Sequence, residues 1–220
     1  MRTLAIGDIH GCATAFDLLL SIINLKPVDT VVTLGDYVDR GSNSKGVIDR
    51  LIEVQQRGHL IALRGNHEQM MIHARHDVSM ESHWRESGGN ATLASYGDPG
   101  TMADVPAEHW DFIENQCLDY WENETHFFVH ANVYSDLPLF DQPDYMLFWE
   151  KFNNPAPHIS GKVMICGHTS QKSGLPINIG HAICVDTWAY GRGWLSCLDV
   201  KTGQLWQANQ AGQQRQLWMN

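Results

Sequence analysis

Two carboxylates and a guanidinium crowd one short stretch of this chain, Gly35-Asp36-Tyr37-Val38-Asp39-Arg40-Gly41. The stretch follows the apolar, β-branched run Thr30-Val31-Val32-Thr33-Leu34, so the charges emerge together at the end of a buried strand. Carboxylates gathered there repel and raise one another's pKa unless a cation or several hydrogen bonds hold them. A metal ion is the simplest partner, and Arg40 then faces an anionic ligand. Comparable loops follow four other apolar runs: Gly7-Asp8-Ile9-His10-Gly11, Arg64-Gly65-Asn66-His67-Glu68, His130 after Phe127-Phe128-Val129, and Gly167-His168-Thr169. Singly, each has a structural explanation as a hydrogen-bonded turn, a helix cap or a satisfied core histidine. Together, five strand-terminal loops bearing Asp, His, Asp, Asn, His and His make coincidence the poorer account.

Ligand type narrows the chemistry. Carboxylate oxygens, an Asn carbonyl and imidazoles without thiolate suit Mn²⁺, Fe or Zn²⁺ better than Cu(I), and the imidazoles disfavour Ca²⁺ or Mg²⁺ alone. Six side chains exceed what one tetrahedral ion needs, so two divalent ions fit better, with Asp36 between them. Two cations about 3.5–4 Å apart share a hydroxide at neutral pH, clamp phosphate oxygens and stabilise an in-line displacement.

The elements that must position these loops are legible in the periodicity. Residues 4–6, 30–34 and 60–63 read as buried strands, each followed by a polar loop and then a helix. Phe16, Leu19, Leu20 and Ile23 form the apolar stripe of the first helix, Val47, Ile48, Leu51 and Ile52 that of a second over 44–57 closed by Gly58, and Met70, Met71 and Ala74 that of a third. Ligands in open α/β sheets bind beyond the carboxyl ends of strands, so the loops are expected to converge. Residues 77–123 read as a small helical insert. Strands resume at 126–129 and 162–166, and 182–185, 194–198 and 204–207 read as antiparallel strands, the last two joined by a turn at Lys201-Thr202-Gly203.

With 220 residues, 43% of them hydrophobic, the chain suffices for one α/β domain over 1–220. A net charge of −10 argues against a surface that coats nucleic acid or binds membranes through basic patches. Five cysteines without a C-x-x-C pair argue against a disulfide framework, which makes the cytoplasm the expected compartment. Residues 1–6 run directly into the charged Asp8-His10 loop, so no signal peptide is expected, and no 18-residue apolar stretch occurs in the sequence.

The motifs carry a specific resemblance. Gly7-Asp8-Ile9-His10-Gly11, Gly35-Asp36-Tyr37-Val38-Asp39-Arg40-Gly41 and Gly65-Asn66-His67-Glu68 resemble, in order and spacing, the three signatures of the phosphoprotein phosphatase family of calcineurin-like metallophosphoesterases. The continuation through Gln69-Met70-Met71, with Val129-His130-Ala131 and Gly167-His168-Thr169, is similar to the bacterial and phage branch. The resemblance covers nearly the whole chain. It implies a four-layer α/β/β/α sandwich and two metals, Mn²⁺ first among them. Asp8, His10 and Asp36 would hold one ion, and Asp36, Asn66, His130 and His168 the other. It implies further that a bridging hydroxide attacks phosphorus, that His67 protonates the leaving oxygen, that Asp39 orients His67, and that Arg40 and Asn66 bind phosphate. A carboxylate-supported imidazole is a suitable acid near neutral pH, and a guanidinium suits phosphate geometry.

One position departs from the branch. Where a second phosphate-binding arginine is usual the chain has Trp149-Glu150-Lys151, leaving Lys151 as a point charge or the task to Arg64, Arg85 or Arg192. His181 rivals His168 as a ligand but lacks its motif. Cys12 reads as a buried helix-start cysteine, the scattered tryptophans, Trp84 among them, as core, His73 and His76 as solvent-facing, and Asp186-Thr187 as support for the site. The implied reaction is hydrolysis of phosphoserine or phosphothreonine monoesters in proteins or peptides, with phosphotyrosine also accepted. The alternative is a dinucleoside polyphosphate or other nucleotide. Relatives that cleave diadenosine tetraphosphate symmetrically usually lack an acid at the place of Asp39, which tilts the reading to monoesters. A metal-bound interaction module without turnover is the third reading, and it is disfavoured because every expected position is filled.

Overall fold

Alternation along each strand assigns successive side chains to opposite faces, and here it separates three apolar layers. The computed structural model describes residues 1–58 and 60–219. The chain runs β1 (Thr3–Ile6), α1 (Ala13–Ile23), β2 (Thr30–Thr33), α2 (Ser44–Gln56), β3 (Leu60–Ala62) and α3 (Asn66–His76). Then come α4 (Val78–Trp84), a π-helical turn over Arg85–Gly89, α5 (Asn90–Tyr96) and α6 (Ala107–Asp111). The remainder adds β4 (Tyr120–Glu122), β5 (His126–Val129), α7 (Asp144–Phe148), β6 (Val163–Cys166), β7 (Ile177–Asn178), β8 (Ala182–Cys184), β9 (Leu195–Asp199), β10 (Gln204–Ala208) and β11 (Gln214–Trp218).

The strands form a six-stranded sheet in the order β11-β10-β9-β1-β2-β3 and a five-stranded sheet in the order β4-β5-β6-β8-β7. Ala5, Val32 and Leu34 of the first meet Phe128, Ile165 and Ile183 of the second between the sheets. Leu4, Ile6 and Val31 point the other way, onto Phe16 and Leu19 of α1 and Val47, Ile48 and Leu51 of α2. Phe127, Val129 and Met164 turn outward from the second sheet onto Leu147 and Phe148 of the short α7. This is the expected sandwich, with a thin fourth layer.

The register Ile6↔Thr33 and Thr33↔Ala62 ends three parallel strands side by side, which brings their following loops together. β5, β6 and β8 are likewise parallel, so His130 and His168 leave the second sheet in the same direction. This corrects the antiparallel expectation for 182–185: β8 runs parallel to β6 and antiparallel only to the two-residue β7. Helix α2 ends as expected, with Arg57 as C-cap and Gly58 at φ +81 donating its N–H to Gln55 O. The insert proves to be a set of short helices, whereas Tyr120–Glu122, placed with it by sequence, pairs with β5. Among the described residues no helix is long and apolar enough to cross a membrane.

Candidate metal centre and active site

Asp36 is the hub. It is buried with φ +53, and its Oδ1 accepts the N–H of His67 at the start of α3, where the helix dipole favours negative charge. That approach requires glycine at 65, because a Cβ there would lie 2.2 Å from Asp36 Oδ1. Beneath the loop, Glu68 accepts four backbone N–H groups: Asp36 and Gly65 on Oε2 at 2.8 Å each, Tyr37 and Val38 on Oε1 at 2.8 and 3.2 Å. Burial and the Asp36 charge push the Glu68 carboxyl up to about 7. The four donors oppose that shift and leave no acceptor for a carboxylic proton, so the ionised form suits this cage. Glu68→Gln turns an amide NH₂ against N–H donors. It is expected to destabilise the fold by about 1–3 kcal/mol in guanidinium unfolding, and unchanged stability would contradict the cage.

Among the described residues, two groups converge so that their ligand atoms all lie within 4.8 Å: His10, Asp36 and His67, and Asp36, His130 and His168. Asp36 belongs to both. The imidazoles are oriented by backbone carbonyls, with His10 Nδ1 donating to Val38 O at 2.9 Å, His130 Nδ1 to Leu34 O at 2.7 Å, and His168 Nε2 to Trp149 O at 3.1 Å. Burial lowers the pKa of all three, His168 to about 3, so each is neutral and turns a lone pair inward. Asn66 Oδ1 faces His130 Nε2 at 3.0 Å and His168 Nδ1 at 3.1 Å, while Asp36 Oδ1 is 3.5 Å from His130 Nε2. Acceptors turned on one another in this way are what a cation resolves, and the oxygen and nitrogen donors fit a divalent ion.

Asp8 stands beside these groups, its carboxylate accepting the His168 N–H at 3.0 and 3.1 Å. Burial, with the Asp186 and Asp36 carboxylates nearby, drives its pKa well above the usual range, a further sign of missing positive charge. Asp186, the support residue named from sequence, accepts Ser170 Oγ at 2.6 Å and the Trp188 N–H at 2.9 Å.

His67 donates Nδ1–H to Asp39 Oδ2 at 2.6 Å, and its Nε2 lies 4.0 Å from Asp36 Oδ2. Burial opposes charge on His67, but Asp36 and Asp39 outweigh it and lift its pKa above the ordinary imidazole value. Sequence reasoning missed what holds Asp39. Trp84 Nε1 donates to both carboxylate oxygens at 3.1 and 3.0 Å, and Thr92 Oγ1 donates to Oδ1 at 2.7 Å. A signal was available, since a buried indole N–H needs a partner.

At the mouth, a cleft of about 300 Å³ is lined by Asp36, Arg40, Asn66, Lys151, His168, Thr169, Ser170 and Tyr190. Arg40 donates Nη1–H to His10 Nε2 at 2.9 Å and lies 4.6 Å from the Tyr190 ring centroid. Lys151 is exposed there, its carbonyl accepting Asn132 Nδ2 at 3.0 Å. Arg64 is engaged instead by Asp119 and the carbonyls of Glu114 and Cys117, Arg85 by Glu81 and Asn90, and His181 by Pro155 O. Cys12 is buried at the start of α1, and His73 and His76 are exposed, as read from sequence.

Stacked mixed sheets with this cluster at their strand ends define a metallophosphoesterase. The chain belongs to the calcineurin-like phosphoesterase family, which matches it over residues 1–172. Members of that family use a dinuclear divalent-metal centre. Serine/threonine-protein phosphatase 1 of Salmonella typhimurium is 38% identical over 86 residues, covering 39% of this chain and 38% of that protein. The symmetrical bis(5'-nucleosyl)-tetraphosphatase of Janthinobacterium sp. is 31% identical over 134 residues, covering 60% of this chain and 44% of that protein. The chain thus spans less than half the length of either curated relative. Among solved structures, a proposed diadenosine tetraphosphatase superposes with TM-score 0.69 at 20% identity, covering 99% of this chain and 93% of the other. The cold-active protein-tyrosine phosphatase of a psychrophilic Shewanella superposes with TM-score 0.64 at 18% identity, covering 98% and 80%. At these identities the structural likeness speaks for the fold.

Proposed function

We propose that this chain is a protein phosphatase that hydrolyses phosphoserine, phosphothreonine and phosphotyrosine monoesters. The observation that carries the reading is the buried Asp39–His67 pair, whose 2.6 Å hydrogen bond leaves the far nitrogen of His67 turned toward the metal cluster. Such an acid is needed most where the leaving oxygen is a strong base, as the alkoxide of serine or threonine is. Asp8, His10 and Asp36 would hold one ion and Asp36, Asn66, His130 and His168 a second, with Mn²⁺ the first choice. When bound, this centre supplies Lewis-acid activation of water and neutralises phosphoryl charge.

The chain's own side chains do the rest. Arg40 and Lys151 bring positive charge to the phosphoryl oxygens at the cleft mouth, Arg40 in a geometry suited to paired contacts. Asn66 presents its amide to the same space. His67 passes its Nε2 proton to the departing oxygen while Asp39 keeps Nδ1 protonated and the ring aligned.

A second reading, hydrolysis of a dinucleoside polyphosphate, is favoured by the tetraphosphatase relative matched over 60% of the chain. Its leaving group, a nucleotide phosphate, is a weaker base and calls less on a buried acid. Steady-state hydrolysis of a phosphoserine peptide, a phosphotyrosine peptide and diadenosine tetraphosphate separates the two. Chelation is expected to lower peptide turnover by at least about tenfold, with recovery on adding Mn²⁺. Preference for the dinucleotide would overturn the peptide reading, and turnover of none of the three would leave a binding module.

A further inference from the structure

The helical insert is bolted to the reaction centre. Trp84, the last residue of α4, is fully buried with its indole N–H on Asp39, and Thr92 of α5 is equally buried. The Thr92 hydroxyl donates to Asp39 Oδ1 at 2.7 Å and accepts the Asp39 backbone N–H at 2.7 Å, with Ser44 Oγ 3.1 Å away. Between them Gly88, at φ +125, accepts the Arg40 N–H on its carbonyl at 3.3 Å. A Cβ on Gly88 would fall 2.8 Å from Arg40 N, and one on Gly89 would fall 2.5 Å from the Trp84 ring. The two glycines therefore allow the insert to approach the Asp39-Arg40 turn, where both residues hold positive φ.

We propose that the insert is part of the reaction machinery, with the Trp84 indole and the Thr92 hydroxyl as positioning residues that fix the Asp39 carboxylate and, through it, the His67 ring. The inference rests on the reading of His67 as the leaving-group acid. Three donors share the two Asp39 oxygens, so the plane of the carboxylate is set from three directions: α3 through His67, α4 through Trp84 and α5 through Thr92. With one donor removed, the carboxylate can turn about its own bond and His67 loses its fixed aim. A group that merely stabilised a buried charge would slow every substrate alike when removed. A positioning group affects most the substrates that need the proton.

The test uses the full chain loaded with Mn²⁺ and an aryl phosphate series from p-nitrophenyl to phenyl phosphate, together with a phosphoserine peptide. Trp84→Phe keeps the ring and deletes the donor, Thr92→Val keeps the shape and deletes the hydroxyl, and Thr92→Ser restores it. Trp84→Phe and Thr92→Val are each expected to lose about tenfold more kcat on phenyl phosphate and the peptide than on p-nitrophenyl phosphate, part of the 10²–10⁴ a general acid supplies. Thr92→Ser is expected to return the leaving-group dependence to that of the wild type, with metal content equal in all. Equal losses across the series, or none, would overturn the inference, and the Thr92 pair decides it should Trp84→Phe fail to fold. His67→Asn is run alongside. If it leaves the dependence unchanged the acid assignment itself fails, whereas a steepened slope in that variant alone overturns only the role of the insert.

Discussion

Hydrolysis of a phosphoserine peptide is expected to slow by about 10³-fold in His67→Asn, the middle of the range for general acid catalysis. p-Nitrophenyl phosphate, whose phenolate departs without a proton, is expected to lose about tenfold or less in the same variant. The asymmetry follows from the geometry. His67 is 2% exposed, its Nδ1 is tied to Asp39 and its Nε2 faces the cluster, so it has one proton to give and one direction to give it in. Asparagine can still contact Asp39 but cannot span to the leaving oxygen. Leaving-group dependence of kcat, compared with wild type at equal metal content, checks this. Equal losses on both substrates would show that His67 serves the structure or the metals instead.

Asp36→Asn is expected to act on every substrate alike. Several kcal/mol of transition-state stabilisation by metals correspond to a loss of at least about 10³-fold, at 1.4 kcal/mol per tenfold. Asp36 is the member common to both ligand groups, with Oδ2 3.3 Å from His10 Nε2 and Oδ1 3.5 Å from His130 Nε2. Burial pushes its carboxyl up, but attraction to the surrounding histidines, of which His67 is the one with a raised pKa, draws it below the ordinary range. The amide retains the oxygen that accepts the His67 N–H, so the fold is expected to survive while metal content drops. Elemental analysis beside activity separates the two effects, and full metal loading with wild-type turnover would remove Asp36 from the bridging position.

The site was legible because its parts are contiguous in the chain. Asp8 and His10, and Asp36 to Arg40, each lie within a few residues on one loop after an apolar strand, and Asn66 and His67 open the helix that follows β3 after a short turn, so strand and candidate ligand are read together. Orientation was less legible. The continuous apolar run Ala182-Ile183-Cys184 marks a buried strand without saying whether its neighbour runs with it or against it, and β6 proved to be a parallel partner. The short β4 and β7 and the polar Gln214-Arg215-Gln216 of β11 lack the apolar pattern that announces a strand. Trp84 and Thr92 escaped for another reason. They lie 45 and 53 residues from Asp39, and the tertiary fold alone joins them. Burial of Trp84 followed from its type, whereas the target of its N–H did not.

β1 carries Asp8 and His10 at its end and lies between β2 and β9, yet β9 begins at Leu195. During synthesis at about 5–20 residues per second, one edge of that central strand therefore waits roughly 10–40 s for its partner. The five site loops through His168 are all made before the sheet beneath the first of them is closed. Completion of the site is thus tied to a late, long-range pairing, the kind that folds slowly and leaves a strand edge open to wrong partners. The nascent chain holds its candidate ligands before it holds the platform that aims them.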